Sequence, residues 1–127
     1  MSELLAAMPF AGRLGLRTGE ATADRVAGEL DWAEELCTAG GVLHGGALIA
    51  AADSLGALCA YLNLPEGATT ATLESKTNFF RAVRNGTVHL VSTPLHVGRS
   101  SIVVQTELTD EDGRRVALVI QTQAVLH

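Results

Sequence analysis

Proline is scarce in this chain, with three in 127 residues, and at 47% hydrophobic content the sequence is not that of a disordered segment. Cysteine is scarcer: Cys37 and Cys59 form no metal-ligand spacing, so a pair of free thiols in a reducing cytoplasm is expected, with no metal site. Basic residues are outnumbered, nine Lys and Arg against fourteen Asp and Glu. The resulting net charge of −5 argues against general nucleic-acid binding and against attraction to anionic membranes. The opening MSELLAAMPF lacks both a basic start and a long apolar run, so no cleavable signal is expected. Internal repeats, low-complexity tracts and linkers are also missing. The length suits one domain over 1–127 with a real core.

What the chain does have is one long apolar stretch, GGVLHGGALIAAADSLGALCAYLNL from Gly40 to Leu64, whose single charge is Asp53. At about 3.6 residues per turn, Leu48, Ala51, Leu55, Leu58 and Leu62 fall on one stripe, as in a core-facing helix. Asp53 lies roughly 140° from Leu48 around the axis, where an amphipathic helix is normally wet. Its neighbours at helical spacing are instead Gly46, Ile49, Ala50, Gly56, Ala57 and Ala60. A helix apolar on every side is buried on every side. Something therefore covers Asp53, and the small residues beside it allow close approach. The run nears the roughly 20 apolar residues of a membrane span, but its central Asp and its His-Gly-Gly mouth argue against one. A purely structural Asp needs a local partner, and the helix offers only Ser54 and Tyr61, both poorly placed.

Along the chain, Ser2 to Met8 reads as a short helix capped by Ser2 and stopped by Pro9. Leu14 to Thr22 is weakly strand-like, and Val26, Gly28, Leu30 and Trp32 alternate as a half-buried strand. Cys37 to Gly41 leads into the helix, and Pro65-Glu66-Gly67 ends it. Strands follow over Thr69 to Phe80, Thr87 to Val97, Ser100 to Thr109 and Arg114 to Leu126. In the first of these, Ala71, Leu73, Ser75, Thr77 and Phe79 share one side. Asn85-Gly86 predicts a hairpin, and Asp110-Glu111-Asp112-Gly113 an acidic turn. The economical arrangement is α+β, one helix against a curled antiparallel sheet. A symmetric second subunit is the expected cover for the helix's other apolar face.

At the helix mouth, unpaired N–H groups and partial positive charge point outward, and Gly45 and Gly46 leave them unshielded. Such donors aimed at a developing oxyanion assist acyl transfer. Asp53, two turns further on, is expected to serve the same carbonyl as general base or as nucleophile. His44, in the turn before the helix, is open between a structural donor and a catalytic group.

GVLHGG with an acidic residue nine after the histidine resembles the hotdog-fold acyl-CoA thioesterases, including the phenylacetate-degradation, aryl-CoA and dihydroxynaphthoyl-CoA types. The resemblance continues through TNFFRAVRNGTV at 77–88, PLHVGRSS at 94–101 and the strands around DEDGRR, nearly the whole chain. It implies a long helix wrapped by a curved sheet, dimers that often pair into tetramers, and active sites at the dimer interface. Carried over by position, Asp53 resembles the catalytic carboxylate and the Gly45 amide the group that polarises the thioester carbonyl. The turn His96-Val97-Gly98-Arg99-Ser100-Ser101 resembles the coenzyme A contact, and a cation beside small donors suits phosphate oxygens. Thr72, Phe79, Phe80 and Arg81 correspond to acyl-pocket and entrance positions. From composition alone, one phenylalanine would be core and the other surface.

Thr38 stands six before the histidine, where relatives often carry Asn or Gln. Ala57 stands where some have Ser or Thr, and Asp53 where the aryl- and naphthoyl-CoA types use Glu. The shorter arm favours water activation over direct attack. The function implied is hydrolysis of an aryl or medium-chain acyl-CoA in the cytoplasm, with coenzyme A as part of the substrate and no cofactor. Two alternatives are a hotdog hydratase or dehydratase, and a non-catalytic acyl-CoA-binding protein. The first typically uses a proline-rich histidine motif, and GGVLHGGA has no proline; the second usually adds a basic DNA-binding segment.

Overall fold

The computed structural model describes residues 5–127. Its elements are helix α1 (Pro9–Leu14), strands β1 (Arg17–Ala21) and β2 (Val26–Asp31), and a 3-10 turn over Glu34–Leu36. They continue with the long helix α2 (Gly45–Tyr61) and strands β3 (Thr69–Phe79), β4 (Thr87–Val97), β5 (Ser101–Thr109) and β6 (Arg115–Leu126). The strands form one six-stranded antiparallel sheet in the order β1-β2-β4-β5-β6-β3, and α2 packs against β2 to β6. This is the α+β architecture expected, a central helix held by one sheet.

The strand period of two decides which residues meet the helix. Val26 and Leu30 of β2, Val88 and Leu90 of β4, and Ile102, Val104 and Leu108 of β5 are all fully buried. They face the expected stripe of α2, where Leu48, Ala51, Leu55 and Leu58 are buried too. Leu62, at the helix end, is only half-buried. Both cysteines are free thiols, as expected. Cys59 lies in the core, and burial, helped by Asp24, pushes its thiol up to about 11.

Three expectations change. Asn85-Gly86 does not close a hairpin: β3 pairs only with β6 at the sheet edge, while β4 lies between β2 and β5. The turn joins strands that are not neighbours because the inward row of β4 is wholly apolar or buried and takes an interior place. β3, exposed along most of its length, stays outside. The linking segment is held by Val116 O, which accepts from Phe80 N at 2.8 Å, and by Gly86 O, which accepts from Trp32 N at 2.8 Å. Pro9 opens α1 instead of stopping a helix, since at the first helical position its missing N–H costs nothing. Of the helix expected over Ser2 to Met8, Leu5 and Ala6 are helical and the residues before them lie outside those described. The strand expected over Leu14 to Thr22 shortens to β1, because Leu14 belongs to α1 and Gly15 caps it in left-handed backbone.

Candidate functional site

Asp53 lies midway along α2, half-buried, and its partners come from the sheet. Its Oδ1 accepts from Thr72 Oγ1 at 2.9 Å and from Gln121 Nε2 at 3.1 Å. Thr72 Oγ1 in turn accepts from Gln123 Nε2 at 2.7 Å. Ser54, considered as a local partner, instead donates to Ala50 O at 2.8 Å. The Asp therefore has the hydrogen bonds a helix-only search misses. The alternation expected along β3 also fails at a bulge: Thr72 pairs with Gln123 and Glu74 with Thr122, leaving Leu73 as the extra residue. That bulge turns Thr72 toward α2 on the same side as Phe79, and sends Leu73, which is 67% exposed, away.

His44 is the N-cap of α2, and its Nδ1 accepts from Gly46 N at 2.7 Å. The ring nitrogen is thereby committed to the helix end, and so is the Gly46 N–H. The His44 carbonyl accepts from Ala47 N at 2.9 Å. Among the described residues the Gly45 N–H has no acceptor. Phe79 lies over it: a Cβ on Gly45 would come within 3.1 Å of the ring tip, so any larger residue would require the ring to shift by a few tenths of an ångström. A groove of about 370 Å³ opens here, lined by Thr38, Gly45, Leu48, Phe79, Phe80 and Arg81 among others. Phe79 and Phe80 are 48% and 55% exposed, so neither is a core residue as composition alone suggests.

The remaining candidates span the end of β4, the turn after it and the first residue of β5. Gly98 N donates to Ser101 O at 2.8 Å, and Ser100 O accepts from Val125 N at 3.0 Å. His127 contacts Arg99 O at 3.1 Å, while among the described residues the Arg99 guanidinium makes no hydrogen bond or ion pair. Thr72, Gln123, Ile102 and Val97 pair in one row across β3, β6, β5 and β4, so this turn shares an end of the sheet with Asp53 and Thr72.

A second groove, about 340 Å³ and lined by Ala7, Met8, Ala57, Leu58, Tyr61 and Thr70, begins one helical turn beyond Asp53. A larger groove of about 510 Å³, over β1, β2 and β4, contains no part of α2 and none of the candidate residues. Among the described residues no group of three or more His, Cys, Asp or Glu is placed to hold a metal ion.

One chain thus holds two clusters. Gly45, Gly46, His44, Thr38, Phe79, Phe80 and Arg81 gather at the mouth of α2, and Asp53 with Thr72 gathers further along. Asp53 is eight residues after Gly45 on the helix, about 12 Å along the axis. That is too far for both to reach one carbonyl, which corrects the expectation that they do so within a single chain. The two glutamines on β6 escaped notice in the sequence. Their signal is a polar pair two residues apart in an inward-facing row that otherwise reads Ala117, Val119, Val125.

Residues 40–117 match the family described as the thioesterase superfamily. The 1,4-dihydroxy-2-naphthoyl-CoA hydrolase of Escherichia coli is 38% identical over 68% of this chain and 63% of its own length. The proofreading thioesterase EntH of Cronobacter sakazakii shows the same 38% identity, over 68% of this chain and 63% of that protein. The chain therefore spans less than two thirds of the length of these curated relatives. Among solved structures, a thioesterase from Pseudomonas aeruginosa superposes with a TM-score of 0.92 at 27% identity, covering 98% of this chain and 92% of that one. One from Haemophilus influenzae gives 0.89 at 29% identity, over 93% and 82%. With the helix, the sheet and the histidine-glycine mouth in the places expected, the chain belongs to the thioesterase superfamily and has the hotdog fold.

Proposed function

We propose that this protein hydrolyses an acyl-CoA thioester, with each active site shared between two subunits. The carrying observation is the pair of half-sites on α2: an anchored carboxylate at Asp53 and an unpaired amide at Gly45, about 12 Å apart on one helix. A second copy related by a two-fold axis near Ile49, midway between them, sets each Gly45 opposite the other subunit's Asp53. The face of exposed Gly46 and half-buried Ile49, Ala50 and Ala57, together with the unpaired edge of β3, supports that pairing.

In the proposed reaction the thioester oxygen accepts from the Gly45 N–H, whose position at a helix N-terminus favours negative charge. Water attacks the carbonyl carbon while the Asp53 carboxylate takes its proton. The tetrahedral intermediate collapses, the C–S bond breaks, and the proton passes to the departing thiolate. Direct attack by Asp53 would instead form a mixed anhydride that water then opens. The reach of an aspartate anchored through Oδ1 favours water activation. Water, carboxylate and amide suffice, so the scheme includes no cofactor.

The apolar groove beyond Asp53 suits an aryl or medium-chain acyl group, and the Arg99 turn suits the phosphates of coenzyme A. Gly98 and Ser100 lie in that turn, and His96, Val97 and Ser101 flank it on β4 and β5. The name of the Escherichia coli relative, a hydrolase of an aryl-CoA thioester, agrees with the substrate class. Free thiols fit a cytoplasmic setting.

The test is a panel of aryl- and aliphatic acyl-CoAs with release of free thiol followed by a chromogenic reagent. Turnover of at least one member, above the spontaneous rate, is the expected result. Hydration or dehydration without thiol release, or tight binding without turnover, rejects the proposal.

A further inference from the structure

Two side chains that the proposed reaction does not use, Gln121 and Gln123 of β6, are wholly buried. Burying an amide is costly unless its donors and acceptors find partners. Gln123 has a polar neighbour at both ends: its Nε2 donates to Thr72 Oγ1, and its Oε1 lies 3.1 Å from Thr70 Oγ1, which shares its one hydrogen with Ala124 O at 2.7 Å. Gln121 does not. Its Nε2 donates to Asp53 Oδ1 at 3.1 Å and approaches the Asp53 carbonyl at 3.4 Å, while its Oε1 is buried with no partner.

Chemistry fixes the direction of these bonds. A carboxylate and a carbonyl only accept, so Gln121 has to present its NH₂ to Asp53; flipped, it would set oxygen against oxygen. Thr72 takes a hydrogen from Gln123, which leaves its own single hydrogen for Asp53. Both donors therefore reach Oδ1, and among the described residues Oδ2 receives none.

The arrangement also constrains the helix. A Cβ on Gly56 would lie 2.1 Å from Gln121 Oε1, so the residue one turn from Asp53 has to lack a side chain. An unpaired buried acceptor and a glycine inside the central helix are both unfavourable. What they make room for is one amide on one carboxylate.

We infer that Gln121 is a positioning residue for Asp53: with Thr72 it clamps Oδ1, leaving Oδ2 as the oxygen that meets water or the thioester. This rests on the hydrolysis proposed above.

The experiment measures kcat, KM and unfolding temperature for the wild type, Gln121→Met, Thr72→Val and Asp53→Ala, together with the Gln121→Met/Asp53→Ala double variant. Methionine fills nearly the same volume without the donor or the unpaired acceptor. The expected result for Gln121→Met is a kcat lower by about 10-fold or more, since small misplacements near a reacting group are expensive, with KM within about twofold. Its unfolding temperature should be unchanged or higher, and any residual rate of Asp53→Ala should not fall further. Should Gln121→Met fail to fold, Thr72→Val removes the second clamping donor and is expected to show the same split between kcat and KM.

A normal kcat in the folded variants, or an equal fold-loss with and without Asp53, overturns the inference alone, provided that the wild type is active and Asp53→Ala is slowed to a measurable residual rate. A wild type that hydrolyses no acyl-CoA, or a fully active Asp53→Ala, overturns the proposed function and this inference with it.

Discussion

Asp53→Asn separates a catalytic from a structural carboxylate at the scale of one residue. The amide oxygen can still accept from Thr72 and Gln121, so the local hydrogen bonds survive while the charge and the proton acceptor are lost. General-base contributions are about 10²–10⁴-fold, so kcat should fall by about 10² or more with the unfolding temperature held or raised. A structural aspartate gives the opposite pattern, a lower unfolding temperature and near-normal turnover, and both quantities can be read on one sample. Arg99 contributes differently. Its side chain lies on an exposed turn and is proposed to meet the nucleotide end of the substrate and not the thioester, so Arg99→Ala should raise KM for an acyl-CoA more than it lowers kcat. Steady-state kinetics showing an unchanged KM and a collapsed kcat would remove Arg99 from the coenzyme A contact. His44 illustrates how a motif residue acquires a plain physical role: its side chain caps the helix whose mouth it adorns.

Individual elements carry their own electrostatics, clearest in the turn between β5 and β6. The Asp110 carboxyl is held below the usual carboxylate range, first by the backbone N–H of Arg114 and also by that of Asp112. Asp31 is likewise lowered, by the Arg17 guanidinium and then the Thr87 hydroxyl. A carboxyl whose folded value is depressed stabilises the protein above its unfolded value of about 3.9 and loses that contribution as pH falls through the folded one. Wild type should therefore unfold at a higher temperature than Asp110→Asn at neutral pH, with the gap closing below about pH 4. Thermal melts across pH 2.5 to 7 (on the order of six points) check this; a gap that widens toward acid contradicts it. At the same scale the edge strand β3 explains two surprises, for its bulge at Leu73 re-aims Thr72, and its single pairing keeps Asn85-Gly86 from being a hairpin.

For the whole molecule, the separation of Gly45 from Asp53 means that, under the proposed mechanism, a lone subunit holds only half of each site. Phe79, Phe80 and Tyr61 are each about half exposed, adding apolar surface near the two ends of α2. An obligate oligomer is expected, and dilution should lower specific activity in step with dissociation. Sedimentation at micromolar concentration that finds a stable, folded and fully active monomer would contradict both the assembly and the shared site.

Much of this was legible in the chain. The apolar stripe of α2, the alternation of β2, β4 and β5, and the isolation of Asp53 follow from local periodicity, and periodicity is a property of neighbouring residues. The HGG mouth and the acid nine residues later could be recognised for the same reason. Other features depend on which strand lies beside which, and no local pattern encodes that. The edge position of β3 exposed Phe79 and Phe80 together, the bulge brought Thr72 to Asp53, and a strand some seventy residues away supplied Gln121. Sequence patterning could place a carboxylate on an apolar helix; the pairing of distant strands chose its hydrogen-bond partners, because those contacts exist only once the sheet has closed around the helix.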